Sequence, residues 1–317
     1  RLFCLAMLAP LSLSASAQRS VGDFIESKSN NEAKRGVQRV LQYRPEGDEL
    51  VCWQGKNRYT RALYGGYTDY RVETSDVPIF AVFKKGHHRN IRFRVNGVPL
   101  ETVEKCRAGY LEARRSYSLA DGHWDGAGRQ ACLSLEVQAL HGSEGAIFRF
   151  ATGQASSPLD VETWVCAITD KVRMRRNGDM GADPAGVFAP HPANKNLVVS
   201  KAVCNSQRRV AYVVVMLDSV APMPFEQADK LWAETLEANR KLASRVRFTT
   251  PDPYLNPLGG ALAVAADGDW DGKTWLHGCV GWRMPLAGWR AGYLGDVLGW
   301  PDRARSHFDA YAKSQVT

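Results

Sequence analysis

The feature that most constrains this chain is a change of hydrophobic period at Pro222 and Pro224. Before the two prolines apolar residues alternate with polar ones, the two-residue repeat of a strand with one face in a core. After them apolar residues recur every three or four positions, as on an amphipathic helix. Ile91, Phe93 and Val95 alternate with Arg92 and Arg94 and lead into Asn96-Gly97, a pair that tolerates positive φ at both centres of a tight hairpin. Leu133, Leu135 and Val137 repeat the alternation, and the segments 51–53, 62–64, 78–83, 147–150, 161–168, 197–199 and 210–217 supply further short strands. Roughly ten strands split by Gly, Asp and Asn turns, with no long helix among them, predict a large antiparallel β-sandwich over residues 49–221. Residues 173–196 carry Gly178, Gly181, Pro184, Gly186, Pro190 and Pro192 and are expected to form a long loop.

Beyond the prolines, Phe225, Ala228, Leu231, Trp232, Leu236, Leu242 and Val246 mark a linker helix within 222–250, closed by Pro251. Asn256 as N-cap and Pro257 at the first helical position predict a second helix through Ala266. A third fits 286–298 with Gly299 as its stop, and a fourth starts at Pro301 with Ala304, Phe308, Tyr311 and Ala312 on one face. So few helices cannot bury their own apolar faces, so residues 251–317 are expected to be the truncated start of a larger helical domain.

Arg1, the apolar run from Leu2 to Ala9 and the small residues Ala15-Ser16-Ala17 describe a secretory signal peptide over 1–17. The run is too short to span a bilayer, so no membrane anchor is expected after cleavage, and the protein is expected to be periplasmic or secreted. Residues 18–48 read as a polar lead-in with a charged amphipathic stretch at 32–44 that could form a short helix. Export bears on the charge. Against 33 Asp and Glu stand 41 Lys and Arg, a formal net charge of +8, and an exported chain directs that excess at an acidic glycan rather than at nucleic acid. A composition 44% hydrophobic and 23% charged excludes a disordered chain and a polytopic membrane protein. Cys52, Cys106, Cys132, Cys166, Cys204 and Cys279 are widely spaced with no C-x-x-C, which argues for buried thiols over a zinc or redox site.

Three motif fragments fail on context. Gly126-Ala127-Gly128-Arg129-Gln130-Ala131 has the spacing of a dinucleotide fingerprint but precedes a strand, so no helix N-terminus would hold a pyrophosphate. Gly272-Lys273-Thr274 lacks the earlier glycine of a phosphate-binding loop, where Asp267 stands instead. Asp179 and Asp183 lack the alternating acidic positions of a calcium loop. No metal site and no cofactor are expected.

Trp270, Trp275, Trp282, Trp289 and Trp300 concentrate five of the nine tryptophans between Asp267 and Pro301, among Asp269, Asp271, Asp296, His277, Arg283, Arg290 and many glycines. Indole faces stack on the C–H faces of sugar rings, while carboxylate, guanidinium and imidazole groups satisfy ring hydroxyls. The substrate-binding set expected from this pattern is Asp269, Trp270, Asp271, His277, Trp282, Arg283, Trp289 and Arg290, with Trp300 kept for packing. Arg283 and Arg290 suit a uronate or similar carboxylate.

The order of parts, opening its helical domain on Tyr254-Leu255-Asn256 and continuing through Asp267-Gly268-Asp269-Trp270-Asp271-Gly272, resembles the six-hairpin (α/α)6-toroid glycosidases of polysaccharide-degrading bacteria. The run Gly281-Trp282-Arg283-Met284-Pro285-Leu286-Ala287-Gly288-Trp289-Arg290, with Gly299-Trp300 and Asp302-Arg303-Ala304, is similar to the first hairpins of such toroids. Together with Asn57-Arg58-Tyr59, Asp69-Tyr70-Arg71 and the segment Arg176-Asn177-Gly178-Asp179 to Asp183-Pro184, it resembles an uncharacterised Bacteroidetes family that joins a sandwich of this kind to a six-hairpin domain. That resemblance implies a β-sandwich, a linker helix and the first helices of a truncated (α/α)6 toroid, acting as a glycoside hydrolase on a polysaccharide or oligosaccharide. It implies acid and base carboxylates on loops spread around the toroid, so at least one is expected beyond Thr317, and no catalytic residue is assigned here. A non-catalytic glycan-binding or scaffold protein and a polysaccharide lyase are the competing readings. Lyases of that type generally place the toroid first, which is the opposite domain order.

Overall fold

The computed structural model describes residues 43–53, 63–68, 70–74, 80–84, 87–100, 105–108, 113–119, 131–152, 160–167, 196–201, 203–205, 209–217, 219–277 and 285–315. The expected signal peptide, most of the lead-in, the fingerprint-like glycines, nearly all of the 173–196 loop, Trp282, Arg283 and Cys279 lie outside these residues. The described chain combines antiparallel sheets with four α-helices. None of these helices is long and apolar enough to cross a membrane.

One sheet runs in the order β1 (Tyr43–Glu46), β2 (Glu49–Trp53), β8 (Lys105–Ala108), β9 (Ala113–Leu119), β10 (Ala131–Ala139), β11 (Gly145–Thr152), β15 (Val210–Met216) and β14 (Val203–Asn205), with β16 (Ser219–Ala221) also on β15. The other runs β13 (Asn196–Lys201), β12 (Val161–Ala167), β6 (His87–Val95), β5 (Phe80–Lys84), β4 (Arg71–Thr74) and β3 (Leu63–Tyr64), with β7 (Val98–Pro99) on β6. Every pairing is antiparallel, from β1 with β2 to β12 with β13. The Asn96-Gly97 signal holds: Asn96 sits at φ 48° and Gly97 at φ 81°, both positive as a type I′ turn demands, and Val95 pairs with Val98 across it.

The inward faces of the two sheets share one core. Ile91, Phe93 and Val95 from β6 meet Leu133, Leu135 and Val137 from β10, all buried, as the period-two reading requires. Four phenylalanines stitch the layers edge to face: Phe80 and Phe93 from one sheet reach Phe148 from the other at ring separations of 5.2 and 4.9 Å, and Phe93 reaches Phe150 at 4.9 Å.

The outer face of the first sheet is covered by α1 (Phe225–Ala243), whose Phe225 and Ala228 pack on Ile147, Tyr212 and Val214. Strands β11 and β15 are therefore largely buried on both faces, which is why 210–215 reads as a continuous apolar run and 147–150 is broken only by the half-buried Arg149. A polar latch reinforces this contact. The Tyr212 hydroxyl donates to Asp229 Oδ1 at 2.6 Å, and Arg149 Nη1 donates to Glu136 Oε2 at 2.8 Å beside it. Burial, followed by the Asp229 carboxylate, pushes the Tyr212 phenol up to about 12 against the opposing pull of Arg149.

After α1 come α2 (Leu258–Gly268), α3 (Tyr293–Val297) and α4 (Pro301–Lys313). Four expectations need correcting. The linker helix ends at Ala243, with Ser244 as C-cap, so Val246 lies in the following loop. Asn256 does not cap α2, because its side chain is spent on the Thr250 backbone, accepting from Thr250 N at 2.7 Å and donating to Thr250 O at 3.1 Å. The helix expected over 286–298 is a 3-10 segment, Pro285–Gly292, followed by the short α3, because Gly288 at φ 64° and ψ −165° breaks the ladder. The first sheet begins ahead of residue 49, with β1, while residues 32–42 of the stretch expected as a short helix lie outside the described residues. Gly299 acts as the predicted stop, at φ 68° directly before α4.

The helical part is joined to the second sheet through Arg71. This arginine of β4 is fully buried, its guanidinium lies 4.6 Å from the Tyr64 ring centre, and it donates to the carbonyls of Tyr70, Gly66 and, at the end of α2, Gly268. A cation at a helix C-terminus is favoured by the aligned peptide dipoles as well as by the orphan carbonyl. A side chain at Gly268 would run into the Tyr64 ring, so a glycine is needed for this approach.

Two consequences can be measured. Arg71→Met strands the Gly268 carbonyl inside the junction and should cost on the order of 3 kcal/mol in urea unfolding, with faster proteolysis within 244–257. The raised Tyr212 phenol means that the folded state holds this proton more tightly than the unfolded chain does. Its contribution is complete below the unfolded tyrosine value near pH 10 and is lost as pH rises toward 12, so the urea midpoint should fall between about pH 10 and 12, less steeply in Tyr212→Phe.

Candidate functional site

The tryptophan-rich segment divides into a buried knot and an exposed surface. The knot begins in the loop after α2, where Trp270 and Trp275 face each other as an isolated antiparallel bridge. The turn between them is closed by Asp271, whose Oδ1 accepts from Lys273 N at 2.8 Å and Thr274 N at 2.6 Å. Trp275 is fully buried and its Nε1 donates to Ala266 O at 2.9 Å. Its ring centre lies 4.7 Å from that of Trp270 and 6.4 Å from that of Trp300, all three indoles belonging to one buried cluster.

His307 of α4 completes the knot. It is fully buried, accepts at Nδ1 from the Trp275 backbone N–H at 3.1 Å and lies 3.0 Å at Nε2 from the Gly288 carbonyl. A nitrogen that accepts from a backbone N–H carries no proton, so the hydrogen sits on Nε2 and is donated to Gly288. The imidazole is neutral and ties the Trp275 turn, the Gly288 kink and α4 together.

Asp267 lies at the edge of this knot, in the last turn of α2. It is 2% exposed, its Oδ1 accepts from Arg303 Nη1 at 2.8 Å, and its Oδ2 has no hydrogen-bond partner among the described residues. Opposite Oδ2 lies His141 Nε2 at 3.9 Å, presented by the turn between β10 and β11. Arg303 in turn lies 4.2 Å from the Trp300 ring centre and 5.4 Å from that of Trp270.

The exposed surface holds Trp289, Arg290 and Tyr293. Trp289 is 49% and Tyr293 55% exposed, with ring centres 5.8 Å apart and edge to face. The Arg290 guanidinium lies 5.0 Å from the Trp289 ring centre. Leu294, Val297 and Phe308 continue this apolar exposure along α3 and α4.

The expected site residues are therefore not one cluster. Trp289 and Arg290 stand together at the surface, whereas Trp270 is buried and serves packing, because the turn it opens folds its indole back onto Trp275. Asp271 is exposed, but its carboxylate holds the turn. Asp269 is the half-buried C-cap of α2, and His277 is exposed at the end of the described loop. Trp282 and Arg283 fall outside the described residues. Sequence reasoning passed over His307 and His141, and noted Arg71 only as part of a family resemblance. Only His307 left a signal, three positions after Ala304 and four before Tyr311 on the face of α4 read as apolar. Among the described residues no group of three or more His, Cys, Asp or Glu side chains could hold a metal ion.

Compared with known proteins, the chain matches no family model, no curated protein and no solved structure.

The division between knot and surface has a direct check. Trp275→Ala should cost about 3–5 kcal/mol in urea unfolding. Trp289→Ala should change stability by no more than about 0.5 kcal/mol.

Proposed function

We propose that this chain belongs to an exported carbohydrate-active protein, a glycoside hydrolase acting on a polysaccharide or oligosaccharide. In this reading residues 49–221 are a large β-sandwich, 222–250 a linker built on α1 and the loop after it, and residues from 251 onward contribute helices to an (α/α)6 toroid. Two antiparallel sheets with a shared core support the first part, and α1, packed on the outer face of one sheet, supports the second. The exposed apolar faces of Leu294, Val297 and Phe308 support the third, since a further layer of helices would bury them.

The observation that carries the functional reading is the surface of Trp289, Arg290 and Tyr293. An indole and a phenol left half-exposed beside a guanidinium offer a stacking face for a sugar ring and two donors for a carboxylate. That chemistry suits an acidic glycan, as does the net charge of +8. Hydrolysis would use paired carboxylates, one protonating the leaving oxygen and one activating water or attacking directly. No described carboxylate is assigned to either role. The engagement of Asp271 by its own turn favours a second reading, a glycan-binding protein without catalysis.

The test is affinity electrophoresis and reducing-end release against a panel of neutral and uronate-containing polysaccharides. Trp289→Ala and Arg290→Ala should each weaken binding to an acidic glycan about tenfold, equivalent to about 1.4 kcal/mol. Binding without reducing-end release would support the second reading. Unsaturated uronate products, seen by ultraviolet absorbance, would replace hydrolysis by a lyase reaction. Absence of both binding and cleavage would refute the carbohydrate reading.

A further inference from the structure

A cleft of about 520 Å³ opens between the β1–β2 hairpin and the loop that joins α1 to α2. It shares no residue with the Trp289 surface. One side is acidic, with Glu46, Asp48 and Glu49, and the other basic, with Arg240 and Arg247, while Phe248 contributes an aromatic ring that is 41% exposed. Glu49 is 8% exposed and still lines the cleft, so the cleft reaches below the surface. The volume lies within the range of small-molecule sites, about 300–1,000 Å³.

We infer that this cleft is a subsite for a neutral oligosaccharide. The choice follows from the opposed signs of its walls. A hydroxyl group both donates and accepts, so one sugar can donate to the Glu46–Glu49 side and accept from Arg240 and Arg247. A polyanion gains at the arginines and loses comparably at the carboxylates, whereas a purely apolar ligand would take solvent from charged groups without replacing its hydrogen bonds. Phe248 at 41% exposure supplies the remaining element, an apolar face for the C–H side of a ring. The cleft therefore differs in selectivity from the Trp289–Arg290 surface, where the nearby charge is positive. The inference takes only its class of probe from the carbohydrate reading.

The experiment is calorimetric titration of the whole chain with cellotetraose, xylotetraose, mannotetraose and tetragalacturonate. At least one of the three neutral tetrasaccharides should bind, with affinity reduced about tenfold in Phe248→Ala and in Glu49→Gln and unchanged in Trp289→Ala. Phe248 and Arg247 are exposed, so if Glu49→Gln fails to fold, Phe248→Ala and Arg247→Ala carry the test in proteins whose melting matches the unsubstituted chain. The inference is overturned if no neutral tetrasaccharide binds, or if tetragalacturonate is preferred with the same sensitivity to Phe248→Ala. Binding that survives Phe248→Ala and is lost in Trp289→Ala also overturns it, and leaves the surface reading standing.

Discussion

The contact on which the arrangement of this molecule depends is a cation at the end of a helix. Arg71, on the strand next to the edge of the second sheet, is stripped of water entirely and donates to the last carbonyl of α2. Burying a guanidinium is costly unless its donors find acceptors, and here its two terminal nitrogens find the Tyr70, Gly66 and Gly268 carbonyls, with the Tyr64 ring alongside. The geometry then propagates. With α2 held by its C-terminus, Asp267 is placed opposite His141, and the loop carrying Trp270 and Trp275 is directed into the helical core.

Two other polar groups play comparable parts in apolar surroundings. The neutral His307 imidazole accepts from one loop and donates to another, so both of its nitrogens are used and three segments are fixed by one side chain. The Tyr212 hydroxyl fixes α1 against the first sheet through Asp229. In each case the apolar contacts supply most of the burial, while the directional bond selects one arrangement among those that burial alone would allow.

This architecture separates what is packed from what is offered to solvent. Trp270, Trp275 and Trp300 build the knot, and their burial leaves Trp289 to carry the exposed aromatic surface with Tyr293 and Arg290. The cleft beneath the β1–β2 hairpin exists because α1 ends at Ala243, several turns of loop before α2 begins at Leu258. Had the helix continued through Val246, as its apolar spacing suggested, the residues lining that side would lie on a regular helical face instead.

The sequence by itself determined the local elements. Alternation at Ile91, Phe93 and Val95, the Asn96-Gly97 turn, the helical spacing after Pro224 and the Gly299 stop are short-range physics, and each is found in the structure. Composition also located the segment rich in tryptophan, but it could not sort one indole from another. Whether an indole packs or faces water depends on how its loop closes, and the closing bonds come from Asp271, from Ala266 and from His307 far along the chain. The kink at Gly288 was illegible for the same reason, since a glycine within a helical pattern is compatible with both outcomes until its neighbours are packed. Tertiary structure alone decided the fate of Arg71 and Asp267, because a charge is tolerated in the interior only where distant carbonyls and a distant guanidinium meet it.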